Sequence, residues 1–235
     1  MNGIEAAIFD VFGTVVDWRT GVAAEVARVF ASAGIEDDAH AVADAWRAEY
    51  QPAMERVRSG ARGYVALDVL HRENLERVLV ARGHSGRLDE AALAYLNRAW
   101  ERLPPWPDSV AGIAAIRRRR LVAPCSNGSI ALMARLARRG GIEWDAILGA
   151  EVARAYKPDP AAYRRSVEAL DLPPGRVMMI AAHNGDLAAA RALGLATGFV
   201  ARPREHGPGQ TSDLEPTDDW DVVAGDLVAL AEALG

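Results

Sequence analysis

Four short apolar runs constrain this chain more than any other feature: IEAAIF at 4–9, LVAPC at 121–125, VMMIA at 177–181 and ATGFV at 196–200, with a weaker fifth, WDVVA, at 220–224. Runs of this length without polar alternation suit strands buried on both faces. Helical patterns at 109–119, 128–139, 159–171, 186–193 and 226–234 fall between and after them. Short buried strands alternating with helices predict an α/β fold, a doubly wound, Rossmann-like parallel sheet covered on both faces. Such sheets place ligands at the carboxyl ends of their strands.

The interval from about 20 to 102 breaks the alternation. Val22, Val26, Val29, Phe30 and Ala33 recur at helical spacing before Gly34, and Val42, Trp46, Tyr50, Met54 and Val57 form a second stripe with Pro52 as the expected kink. Tyr64, Leu67, His71, Leu75 and Val78 suggest a third helix, and Leu93, Leu96 and Trp100 end a fourth. The turn-rich LPPWPDS at 103–109 then restores the α/β pattern. The expected organisation is a catalytic core of residues 1–18 and 103–235, with an all-helical cap inserted at 19–102.

Of 235 residues half are hydrophobic, enough for a sizeable core, and the formal charge of −5 offers no basic field for nucleic acid or an anionic membrane surface. A small-molecule partner is expected. The single cysteine, Cys125, cannot make an intramolecular disulfide, and no apolar stretch reaches spanning length, so a cytoplasmic protein without membrane contact is expected. The 202–219 loop, rich in Pro, Gly and charge, is long for a compact domain; it is either mobile or packed beside the site.

Chemistry-bearing residues cluster at strand ends. The first strand runs into Asp10-Val11-Phe12-Gly13-Thr14, a carboxylate beside a glycine turn and a hydroxyl. After 121–125 comes Ser126-Asn127-Gly128-Ser129 at a helix start, where backbone N–H groups favour an anion and where N-capping is the plainer role. Tyr156-Lys157-Pro158 places a cation before a helix that Pro158 can open, and 177–181 leads into Ala182-His183-Asn184-Gly185-Asp186. Each has a structural explanation singly. All four fall at carboxyl ends of strands or on the loops that follow them.

FDVFGTVVDWR, SNGS, YKPDP and AAHNGD, in this order and spacing, resemble the haloacid dehalogenase superfamily and, within it, the L-2-haloacid dehalogenases. The resemblance implies hydrolysis of short 2-haloacids to 2-hydroxy acids through a covalent ester on Asp10, with halide as the leaving ion. It assigns Thr14 and Ser126 to hydrogen bonds with nucleophile or substrate carboxylate, and Lys157 to orienting the nucleophile. Asn127 and Arg47, the latter in a Trp46-Arg47 pair, match halide-side and substrate donors. Tyr163 matches a tyrosine of the site, and Asp186 an acidic residue that holds Lys157 or serves the hydrolytic step. Homodimers are common among such relatives, but no stripe here locates an interface.

Departures from the superfamily's phosphatases favour the dehalogenase reading. Where those enzymes carry a general acid two residues after the nucleophile, this chain has Phe12; an alkoxide needs that acid, worth ~10²–10⁴ in rate, and a halide does not. Where they carry a magnesium ligand five residues before Asp186, it has Ala181. No metal or cofactor is therefore expected. The alternatives are a magnesium-dependent phosphatase or phosphotransferase of the same fold, and a non-catalytic carboxylate-binding relative. The chain also departs from the better-known dehalogenase pattern at Ala181, His183 and Gly185, which carry Ser, Asn and often an aromatic there; His183 is open to a role with water or substrate and equally to a structural one.

Overall fold

The computed structural model describes residues 3–235. Its centre is the strand β1 (Ala6–Phe9), every residue of which is buried. β1 pairs in parallel with β2 (Leu121–Ser126) on one side and β4 (Val177–Ala181) on the other, so that Ala6 stands opposite both Leu121 and Val177. β3 (Leu148–Gly149) extends the sheet beyond β2, and β5 (Ala196–Val200) and β6 (Val222–Ala224) extend it beyond β4. The order β3-β2-β1-β4-β5-β6, all parallel, reverses direction between β1 and β4. That is where a parallel sheet opens a crevice at its carboxyl edge.

Side-chain alternation along β1 divides the core. Ala7 and Phe9 join Val122, Met178 and Ile180 beneath α6 (Ser109–Arg117), α7 (Ile130–Gly140) and α11 (Leu227–Leu234). Ala6 and Ile8 join Ala123, Val177 and Met179 beneath α9 (Pro160–Ala169) and α10 (Asn184–Arg191). The sheet is thus covered on both faces, as its unbroken apolar runs require.

Residues 18–101 are helical: α1 (Trp18–Ser32), α2 (Ala39–Ala48), α3 (Tyr50–Arg58), α4 (Leu67–Ala81), α5 (Glu90–Asn97) and a 3₁₀ turn at Arg98–Glu101. The stripe expected as one helix kinked at Pro52 is two helices parted at Glu49. The cause is still Pro52, whose ring crowds the carbonyl four residues back, at Ala48, and which offers no N–H to it. The chain leaves and rejoins the sheet through adjacent segments: Asp17 N donates to Pro104 O at 2.9 Å and Trp106 N to Val15 O at 3.0 Å.

Two elements were not expected. β3 and the single-turn helix α8 (Ala150–Ala153) are too short to show periodicity, and they deliver Lys157 to the carboxyl edge. Gly149, at φ +113°, lets them form, since a Cβ there would lie 2.2 Å from the carbonyl oxygen of Ser126. The 202–219 loop packs beside the site. Arg202 donates to Thr14 O and to both oxygens of Asp108, and Asn184 binds Asp213, Glu215 and Thr217 of the loop. Among the described residues no helix is long and apolar enough to cross a membrane.

Candidate active site

Asp10 leaves β1 at the switch point, its backbone N–H bonded to Ile180 O at 2.9 Å. Its side chain is met from three directions. Thr14 Oγ1 donates to Oδ2 at 2.7 Å, Lys157 Nζ to Oδ1 at 2.9 Å, and His183 Nδ1 lies 3.2 Å from Oδ2. Thr14 is itself fixed by the Ala182 N–H at 2.9 Å, which ties the β1 and β4 loops together. Burial alone would raise the Asp10 pKa, but the charges and hydrogen bonds of Lys157 and His183 outweigh it and hold the carboxyl well below its ordinary range.

Lys157 is buried between two carboxylates, bonding Asp186 as well as Asp10. Burial works against its charge, yet Asp10 and Asp186 together push its pKa well above that of a free lysine. The second oxygen of Asp186 accepts the Tyr163 hydroxyl. The Lys157 backbone N–H donates to Asn127 Oδ1 at 2.8 Å, which joins the β2 loop to the lysine. Pro158 does not open the following helix: Asp159 caps it and Pro160 takes its first position. Nor is Asp186 a cap, since it stands inside the first turn of α10, after His183.

A cavity of about 470 Å³ lies over these groups, lined by Asp10, Phe12, Asn127, Lys157, Tyr163, His183 and Asp186 and, from the helical segment, by Arg47, Tyr50 and Arg58. Phe12 is a buried wall packed edge-on against Trp100, with ring centroids 5.6 Å apart. The Arg47 guanidinium lies over Tyr50 at 4.1 Å and Trp18 at 5.3 Å, and its Nη1 is buried without a hydrogen-bond partner. The residue lines the cavity, and a guanidinium with an unpaired donor is a ready anion contact.

Two candidates stand apart from the cavity lining. Thr14 acts from behind Asp10. Ser126 is fully buried and accepts from Gly128 N at 3.1 Å, so it shapes the β2 turn, while Ser129 caps α7. Cys125 is buried, and burial pushes its thiol up to about 11.

The residue that sequence reasoning missed is Glu205. It is buried, its Oε2 lies 2.9 Å from His183 Nε2, and its Oε1 accepts Trp18 Nε1 at 3.0 Å. Burial opposes its charge, but His183 keeps its pKa below the ordinary glutamate value. Burial likewise disfavours a charged imidazole, and Glu205 and Asp10 overcome it, raising the His183 pKa well above that of a free histidine. One acidic residue in a polar loop carried no signal. The nearest clue was Gly13, at φ +92°, where a Cβ would stand 2.1 Å from Glu205 Oε1.

The profile of the haloacid dehalogenase-like hydrolases matches residues 4–194. The chain belongs to that family. Among solved structures, it is similar to the defluorinating L-2-haloacid dehalogenase Rha0230 (53% identity, 98% of this chain and 95% of that one, TM-score 0.97). It is also similar to the L-2-haloacid dehalogenase PA0810 (45% identity, 99% of this chain and all of that one, TM-score 0.94). Among curated proteins, the (S)-2-haloacid dehalogenase of Xanthobacter autotrophicus is 28% identical over 204 residues, 85% of this chain and 76% of that protein. Within this haloacid dehalogenase-like hydrolase, the β1, β3 and β4 loops each bring a polar group to one carboxylate, Asp10, and the β2 loop is tied to it through the bond between Asn127 and Lys157.

Proposed function

We propose that this protein hydrolyses the carbon–halogen bond of short 2-haloacids, with Asp10 as covalent nucleophile and no metal. The observation that carries the reading is the state of Asp10: a buried, ionised carboxylate fixed by Lys157 and Thr14, beside an apolar Phe12 and opposite an unpartnered Arg47 donor. One oxygen of Asp10 attacks the carbon bearing the halogen, a C–O bond forms, and the halide leaves with the bonding pair. The carbon inverts where it is chiral. Halide needs no proton, so Phe12 can stand where a phosphatase needs an acid. Water then attacks the ester carbonyl and frees the 2-hydroxy acid.

Arg47 and Asn127 receive the halide and the substrate carboxylate, while Asp186, itself held by Tyr163, holds Lys157. Ser126 serves by shaping the turn that aims Asn127. Residues 19–102 act as a cap that supplies Arg47 and shuts water out during the first step. Metal is not required because the Lys157 ammonium already occupies the space between Asp10 and Asp186 and pairs with both.

The test is a panel of chloroacetate, 2-chloropropionate and fluoroacetate on the wild type and on Asp10→Asn, with a single turnover in ¹⁸O water read by mass spectrometry. Label in Asp10 first and in product only in later turnovers is expected. Label in product during the first turnover refutes the covalent route. Phosphate release from phosphomonoesters with magnesium, and no halide release, refutes the substrate class.

A further inference from the structure

Hydrolysis of an ester on Asp10 requires a base within reach of a water beside that carboxyl. Asp186 has no free oxygen, since one takes Lys157 and the other the Tyr163 hydroxyl. Lys157 stays paired with Asp186 when Asp10 is esterified, and an amine is far more basic than an imidazole. His183 is different: Nδ1 lies 3.2 Å from Asp10 Oδ2, Nε2 lies 2.9 Å from Glu205 Oε2, and the side chain is 24% exposed. Glu205 is fixed in turn by Trp18 and fills the space that Gly13 leaves open. His183 also lies between two cavities. It lines the one over Asp10 and a second of about 480 Å³ bounded by Trp18, Asp44, Glu205 and His206, which shares Arg47, Tyr50 and Gln51 with the first.

We propose that His183, held by Glu205, is the base that activates water for hydrolysis of the Asp10 ester, and that ester formation itself releases His183 for this task. The proposal rests on the haloacid-hydrolysing function above. In the free enzyme the ring sits between two carboxylates and donates from both nitrogens. The charged groups around it are Asp10 at the end of β1, Glu205 and His206 on the 202–219 loop, Arg47 of α2, and Lys157 on the other oxygen of Asp10. Alkylation removes the charge of Asp10, one of the two that hold the ring protonated, and the Nδ1 proton passes to solvent. Glu205 keeps the remaining proton on Nε2, so the Nδ1 lone pair faces the ester.

Nδ1 then takes a proton from water as the hydroxide adds to the Asp10 carbonyl carbon. On collapse, the bond from that carbon to the ester oxygen breaks, and the departing alkoxide takes the proton back from Nδ1. The new carboxylic acid of Asp10 returns its proton to His183. The sum is haloacid plus water to hydroxy acid, halide and one proton, the proton leaving with the halide and before the product. Water reaches His183 from the Glu205 cavity without crossing the substrate.

The test is rapid-quench and intact-mass measurement with 2-chloropropionate on the wild type, His183→Asn and Glu205→Gln, with a pH indicator following proton release. Both variants should give one equivalent of halide per site and then accumulate enzyme carrying the propionyl ester, with hydrolysis slowed ~10²–10⁴-fold for His183→Asn. Glu205 is a positioning residue, and its removal should also shift the acidic limb of ester hydrolysis to lower pH, because a carboxylate that favours the imidazolium is gone. In the wild type the proton should appear with halide. Halide release without ester accumulation in either variant, or a proton that appears only with product, overturns this role and leaves the function standing. No halide from the wild type overturns both.

Discussion

Replacing Lys157 by Met removes the cation on which the electrostatics of the site turn. Its side chain is 7% exposed, and the two carboxylates it joins are 11% and 10% exposed, so the substitution leaves two buried acids facing each other. Breaking a buried pair by deleting one partner costs about 3–5 kcal/mol. Because one ammonium serves two carboxylates here, the expected loss at pH 8 lies in the upper half of that range, even though His183 and Thr14 still contact Asp10. The sign of the pH dependence follows from the direction of the Asp10 shift. With its folded pKa held below the unfolded value, Asp10 contributes stability that is complete above the unfolded pKa and is lost as pH falls through the folded one. In the variant, only His183 and Thr14 hold the charged form against burial, and the folded pKa rises. The penalty is then greatest at high pH and shrinks as the carboxyls take up protons, by about 1.4 kcal/mol for each unit of raised pKa. Equilibrium urea denaturation of both proteins from pH 5 to 8, with halide release in parallel, reads this directly. A loss below about 1 kcal/mol that does not change with pH would refute the claim that Lys157 holds two buried carboxylates in their charged form.

Arg47→Lys loses the guanidinium stacked on Tyr50 and Trp18 and its open Nη1 donor; kcat/KM for 2-chloropropionate should fall by about 10–150-fold, the worth of a hydrogen bond to a charged group at 1.5–3 kcal/mol. Gly13→Ala imposes a left-handed residue, about 1–2 kcal/mol, and drives Glu205 off His183 and Trp18, a further 1–3, so urea denaturation should show a loss of about 2–5 kcal/mol. A smaller loss would mean that Glu205 moves aside without cost. Halide release should be unchanged by EDTA, because Lys157 holds the place between the carboxylates that a cation would take; inhibition reversed by added magnesium would count against the proposed chemistry.

The strands were legible because burial on both faces leaves no room for polar alternation. IEAAIF, LVAPC, VMMIA and ATGFV are readable at once, and residues placed just after them stand at the carboxyl edge of any parallel sheet they form. Asp10 and Asp186 could therefore be expected near one another from the sequence, whereas Lys157 joined them only through the family resemblance. β3 and α8 could not, since six residues carry no period. The break at Glu49 needed the carbonyl geometry around Pro52, and Ser126 turned away from the cavity because the Gly128 N–H claims its oxygen. Above all, only the tertiary structure gave His183 its partner. Glu205 lies 22 residues further along the chain in a loop without regular structure, and the tryptophan that fixes it lies 187 residues earlier. Hydrophobic periodicity reports which face of an element is buried; it carries no record of which loop folds back over that face, and the charge of His183 was decided there.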